Sequence, residues 1–172
     1  MRAAGGRRVR IRRARTGDVR AIRSLVDTYT TDRRLLSKAT VTLYEQVQEF
    51  WVAEAEDGRV VGCGALHVMW EDLAEIRTVA VDPTLRGQKI GHRIVAALLD
   101  QARELGVARV FCLTFETRFF GSFGFTEIDG AAVPHGVYEQ LLRSYDEGVA
   151  EFLDLERVKP NTLGNTRMLL HL

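Results

Sequence analysis

The chain has 172 residues, 46% of them hydrophobic and 27% charged, with 24 Lys and Arg against 23 Asp and Glu for a net charge of +1. That length suits one domain of the usual roughly 100–200 residues, and the apolar fraction can fill a core, which excludes a disordered polymer. No run approaches the roughly 20 uncharged apolar residues of a membrane span, and Cys63 and Cys112 show neither CxxC spacing nor a secretory pattern upstream, so a cytoplasmic protein without a membrane partner is expected.

The first fifteen residues hold seven arginines and no acid, which leaves a net charge of −6 over the remainder. Clustered cations can serve as a nucleic-acid arm. Val9 and Ile11 alternate with Arg10 and Arg12, however, as in a half-exposed edge strand whose charges discourage aggregation. The alternation favours the strand, with residues 1–7 as a basic tail, a domain over residues 8–172 and no nucleic-acid partner.

Thr16 and Asp18 signal a helix start, and Val19, Ile22, Val26 and Tyr29 recur at helical spacing. Beyond a polar, basic stretch from Thr30 to Lys38, Val41, Tyr44 and Val47 predict a second helix. Phe50–Ala55 and Val60–Trp70 are apolar runs joined across Glu56-Asp57-Gly58-Arg59, where Asp-Gly predicts a hairpin. Glu75–Val81 is a third strand, and connections this short require antiparallel pairing. Ile90–Leu105 puts Ile90, Ile94, Leu98 and Leu105 on one helical face beside Val95, Leu99 and Ala102, with Gly106 as the terminating glycine. Arg109–Phe115 is apolar on both alternations, as in a central strand, and the strand-helix-strand order makes it a parallel neighbour of Glu75–Val81. A short helix over Glu116–Phe123, a strand over Gly124–Ile128, a helix over Val137–Glu147, a loop over Lys159–Asn165 and a strand over Arg167–Leu172 complete the chain. The expected class is α/β (α+β): a mixed central sheet with antiparallel N-terminal strands, one parallel crossover pair and flanking helices.

The chemistry concentrates in Glu75–Gly91, EIRTVAVDPTLRGQKIG. A strand ends, and Arg86-Gly87-Gln88-Lys89-Ile90-Gly91 opens the strongest helix. Unpaired N–H groups and the positive end of the helix dipole, reached through small residues, suit a phosphate. The segment is neither a Walker loop nor a GxGxxG fingerprint.

This segment resembles motif A of the GNAT acetyltransferase superfamily, R/Q-x-x-G-x-G/A after a strand reading like L-A-V-D-P; Lys89 stands where that family most often has glycine. The order of elements is similar to the whole GNAT fold. The runs Val9-Arg-Ile-Arg-Arg-Ala, Val61-Gly-Cys-Gly-Ala-Leu, Phe111-Cys-Leu-Thr, Gly124-Phe-Thr-Glu-Ile and Asn165-Thr-Arg-Met-Leu-Leu resemble the acetyltransferase domain of bacterial N-acetylglutamate synthases, in a short form without their amino-acid-kinase domain.

The resemblance implies acetyl-CoA as co-substrate, its diphosphate on the amides of Arg86, Gly87, Gln88, Lys89, Ile90 and Gly91 and its pantetheine along Val79 and Val81. It implies acetylation of the α-amine of L-glutamate or L-glutamine, the first step of arginine biosynthesis, by a homodimer. Acyl transfer to an amine calls for a base, and Glu75 is the candidate; the Val79 N–H would stabilise the carbonyl oxygen, freed by a local bulge. Phe120 occupies the place of the family's acidic tyrosine, so it is expected on pantetheine or core, and the thiolate takes its proton from solvent or product. Lys38, Arg77 and Arg167 are the candidate cations for the acceptor's carboxylates. His67 reads as structural, Cys63 and Cys112 as core, and no metal is expected. A peptide acetyltransferase or an acyl-CoA-binding module without turnover are the other readings.

Overall fold

The computed structural model describes residues 8–30, 39–158 and 164–172. The basic tail 1–7, Lys38 and most of the Lys159–Asn165 loop lie outside the described residues. Within them run the strands β1 (Val9–Arg13), β2 (Phe50–Ala55), β3 (Val60–Trp70), β4 (Leu73–Val81), β5 (Arg109–Thr114), β6 (Thr126–Glu127) and β7 (Thr166–His171). The helices are α1 (Val19–Thr30), α2 (Thr40–Glu45), α3 (Ile90–Glu104), α4 (Thr117–Gly121), α5 (His135–Leu141) and α6 (Glu147–Phe152). The strands pair in the order β1-β2-β3-β4-β5-β7-β6. β1 with β2 and β2 with β3 are antiparallel, whereas β4 and β5 run parallel with Glu75 opposite Phe111, as a strand-helix-strand crossover requires. β7 inserts antiparallel between β5 and β6. The mixed sheet with one parallel pair is the expected class.

Contacts divide the chain into two compact units, one of residues up to Ala65 with Thr78–Asp100, the other of Leu66–Arg77 with Gln101–Leu172. In the first, Val19, Ile22, Leu25 and Val26 of α1 and Leu43 of α2 pack with Phe50, Val52, Cys63, Ala65 and Ala80. The other face of β3 shows Gly62 and Gly64 to α3. A Cβ on Gly64 would lie 2.8 Å from Ile94 Cγ2 and 3.1 Å from Leu98 Cδ1. Glycine is thus what lets the helix settle on the strand, and Gly64→Ala is expected to cost about 1–3 kcal/mol through overpacking. Thermal unfolding would measure this; an unchanged midpoint would mean the helix can shift without cost. In the second unit, Phe152 of α6 meets Phe111 edge-on, centroids 5.0 Å apart, among Met69, Leu73, Leu141, Val149 and Leu169.

β4 is not a regular strand. Odd residues of β3 (Cys63, Ala65, Met69) pack with Ala80 in one core and with Leu73 in the other, so the inward parity of β4 changes between its halves. The break is Thr78, buried and at φ +58. A β-branched residue in the left-handed region is a strained outlier that surrounding structure must hold in place.

Four sequence expectations are corrected. The helix predicted over Val137–Glu147 is two helices, because Ser144, Tyr145 and Asp146 leave the helical path and Asp146 caps a new helix through Val149 N–H at 3.0 Å. In the second helix, Leu43 turns inward while Val41 and Tyr44 are exposed. Leu105 lies beyond the end of α3 and is exposed, where Gly106 at φ +83 reverses the chain. The strand over Gly124–Ile128 shortens to Thr126–Glu127.

Candidate active site

Strand alternation puts Glu75 and Arg77 on the same side of β4. Arg77 Nη2 donates to Glu75 Oε2 at 3.0 Å and to Asp146 Oδ1 at 2.7 Å, while Nη1 donates to Asp146 Oδ2 at 2.9 Å. The guanidinium therefore forms the two-pronged carboxylate pairing that favours arginine over lysine, and holds Glu75 with its remaining edge. Glu75 is only 3% exposed. His67 Nε2 lies 3.8 Å from Asp146 Oδ2. Burial pushes the Asp146 carboxyl up, but the hydrogen bonds and charge of Arg77, helped by His67 and the Val149 amide, outweigh it and hold the group well below the usual carboxylate range.

Gly148 in the first turn of α6 is what admits this cluster. A Cβ there would fall 2.4 Å from Glu75 Oε2 and 2.5 Å from Arg77 Nη2. Neither Asp146 nor Gly148 is a candidate from the sequence. The detectable signal is an N-cap aspartate followed by an acid in the first turn, Asp146-Glu147.

Arg167 stands elsewhere in the same unit. Its Nη1 donates to the carbonyl of Glu151 at 2.7 Å and its Nη2 to those of Gly130 (3.0 Å) and Phe152, with the guanidinium 5.2 Å above the Phe111 ring. It thereby satisfies carbonyls at the end of α6. Burial lowers its pKa, opposed by Asp154 and Glu151. A carboxylate would have to displace these carbonyls or meet Nε, which is buried without a partner among the described residues. Lys38, the remaining candidate cation, lies outside them.

Val79 and Val81 follow the Thr78 break. The Val79 side chain points toward Gly64 and α3, and the Val81 carbonyl accepts from Tyr29 Oη. The Asp82 carboxylate accepts from Thr84 N–H (2.9 Å) and Oγ1 (2.8 Å), which folds Pro83–Leu85 into a 3-10 turn, and buried Leu85 anchors it. Arg86, Gly87 at φ +83, Gln88 and Lys89 at φ +59 then lead into Ile90. The first intrahelical bond runs from Arg93 N–H to the Lys89 carbonyl at 3.1 Å, so the amides of Ile90 and Gly91 precede the ladder, and no acid in the first turn offsets the dipole. Lys89 holds the left-handed conformation that glycine takes without steric cost, a physical reason for glycine at this place in the resembling motif.

Phe120 of α4 is 6% exposed and packs edge-on against Phe119 and Phe125, with centroids 5.1 and 5.4 Å away. Cys112 is buried, and burial first, then the charge of Glu75, push its thiol up, so it stays protonated. Among the described residues no group of three His, Cys, Asp or Glu could hold a metal, and no helix is long and apolar enough to cross a membrane.

A family model described as the acetyltransferase (GNAT) family matches residues 19–125. The chain is 65% identical to an amino-acid acetyltransferase of Mycobacterium tuberculosis, over 93% of this chain and 92% of the relative. It is similar to a Mycobacterium tuberculosis crystal structure in complex with CoA and a second ligand, with 64% identity, a TM-score of 0.92 and coverage of 95% of this chain and 99% of that one. An N-acetylglutamate synthase of Neisseria gonorrhoeae, complexed with coenzyme A and N-acetyl-glutamate, aligns with 25% identity and a TM-score of 0.75, over 96% of this chain but 35% of that one.

Proposed function

Since the chain belongs to the GNAT acetyltransferase family, we propose that it transfers the acetyl group of acetyl-CoA to the α-amine of a free amino acid, L-glutamate or L-glutamine, as the first step of arginine biosynthesis. The observation that carries this reading is the 65% identity to an amino-acid acetyltransferase over almost its whole length. Likeness to a synthase complexed with coenzyme A and N-acetyl-glutamate supports the acceptor class. The resemblance also underlies the expectation of a homodimer, which sedimentation of the purified protein would test, and the cysteine spacing that of a cytoplasmic location.

The chemistry follows from the residues. The diphosphate of acetyl-CoA takes the amides from Arg86 to Gly91, with Lys89 adding its charge, and the pantetheine follows Val79 and Val81. Glu75 accepts a proton from the substrate ammonium, directly or through one water, so that the neutral nitrogen attacks the thioester carbonyl. The Val79 N–H, set apart from the regular ladder by Thr78, donates to the oxygen as charge develops there. The C–N bond forms, the C–S bond breaks, and the departing thiolate takes a proton from solvent or from the product nitrogen. Phe120 supplies no proton and serves packing.

Acceptor carboxylates fall to Lys38, Arg77 and Arg167. Two of these are engaged within the protein, Arg77 by Glu75 and Asp146 and Arg167 by carbonyls. That economy of available cations supports glutamine, with one carboxylate, beside glutamate, with two. Steady-state assays with acetyl-CoA and glutamate, glutamine or an N-terminal peptide test the reading. Saturation is expected with a free amino acid; saturation with the peptide alone would overturn it.

A further inference from the structure

Arg77 is shared unequally between two carboxylates. Its bond to Glu75 is one-pronged, from Nη2 at 3.0 Å, whereas Asp146 takes both ends of the guanidinium, at 2.7 and 2.9 Å. The Arg77 side chain is 8% exposed, so water does little to screen this competition. Asp146 is fixed from outside the cluster as well: Val149 N–H donates to its Oδ1 at 3.0 Å, and Ser144 Oγ accepts from its backbone N–H at 3.1 Å. Titratable neighbours on the other elements are His67 of β3, 3.8 Å from Asp146, and Cys112 of β5, whose thiol stays protonated. Two negative charges and one positive therefore meet where a single carboxylate is to do chemistry. A guanidinium paired with Glu75 alone would favour its charged form and make it a poor base. A second carboxylate that holds the larger share of the same cation prevents this.

We propose that Asp146 is a positioning residue of the acetyl transfer: its two-pronged grip fixes Arg77 and offsets the charge there, which leaves Glu75 oriented by one hydrogen bond yet basic enough to take the proton of the acceptor ammonium. This rests on the reading of Glu75 as the general base. The effect of Asp146 is exerted through Arg77 and Glu75, and the helix cap at Val149 holds the carboxylate in the required place. Gly148 completes the arrangement, since a Cβ at that position would fall 2.4 Å from Glu75 Oε2 and push the base out of reach of Arg77.

A double-mutant cycle on the full chain, read by steady-state kinetics with acetyl-CoA and the amino-acid acceptor, tests this. Asp146→Asn removes the charge and keeps the shape, and asparagine caps a helix about as well as aspartate. In the parent background kcat is expected to fall by roughly 3–30-fold, since only part of a lost basicity reaches the rate, with the acceptor's KM close to the parental value. In the Glu75→Gln background, where no base remains to be tuned, the same substitution should change kcat far less, the non-additivity of residues that act as a unit. An equal factor in both backgrounds, a parental kcat, or a change confined to KM would overturn the role of Asp146 alone. A Glu75→Gln variant with parental kcat would instead overturn the reading of Glu75 as base, and this inference with it. Should thermal melting show that Asp146→Asn does not fold, Asp146→Ser, which keeps a capping oxygen, takes its place in the same cycle.

Discussion

Glu75→Gln should lower kcat by about 10²–10⁴-fold, the usual contribution of a positioned general base, and leave acetyl-CoA affinity close to the parental value. The amide keeps the shape of the side chain, and its carbonyl oxygen can still accept from Arg77 Nη2, which lies 3.0 Å from Oε2. Only the ability to take up a proton is removed. The diphosphate loop begins only at Arg86, beyond the Pro83–Leu85 turn that Asp82 and Thr84 fold with their own hydrogen bonds, so cofactor binding should be spared. The residual rate of the variant should climb with pH, because the fraction of acceptor amine that is already neutral grows and the missing base matters less. Steady-state kinetics from neutral to alkaline pH, paired with calorimetry, make the comparison. Identical kcat in variant and parent would remove Glu75 from proton transfer and leave it a structural partner of Arg77.

Arg77→Met is expected to destabilise the protein by about 3–5 kcal/mol at neutral pH, the cost of breaking a buried ion pair by removing one partner. The Glu75 side chain is 4% exposed and that of Asp146 14%, so deletion of the guanidinium leaves two shielded carboxylates without their shared cation. The pH dependence has a definite sign. In the parent, the Asp146 carboxyl lies below its unfolded value, so its contribution is fully present above about pH 4 and disappears as pH falls from there toward the folded value. In the variant, protonating the orphaned carboxylates relieves their burial, which favours the folded state as pH falls. The stability gap should therefore narrow from pH 7 to pH 4. Urea unfolding at both values measures it, and a gap independent of pH would mean that the charge cluster contributes through shape alone.

The strands Phe50–Ala55 and Val60–Trp70 are readable to the residue, since long apolar runs flanking Asp57-Gly58 leave little freedom of register. The long helix α3 is equally clear, because four turns carry a full amphipathic face. The six-residue α2 spans under two turns, too few to separate the face of Leu43 from that of Val41 and Tyr44. Between α5 and α6, a polar stretch with no proline or internal glycine keeps helical propensity, while the Asp146 carboxylate both caps α6 through Val149 N–H and pairs with Arg77. That contact spans 69 residues, beyond any local pattern. The pairing of Glu75 with Arg77 is legible, because alternation puts both on one strand face. The engagement of Arg167 with carbonyls is not, since a sequence shows a cation's charge but not which oxygens surround it.

The reversal at Thr78 also limits how this chain can vary. Every position after it owes its inward or outward direction to one irregular residue, so a segment of the same length that ran regularly through Thr78 would exchange Val79 with Ala80 in their surroundings. Substitutions along β4 alter one neighbourhood each, whereas loss of the irregularity would rewrite the lining and the interior together. The backbone conformation at Thr78 is thus under tighter physical constraint than the spelling of the residues around it.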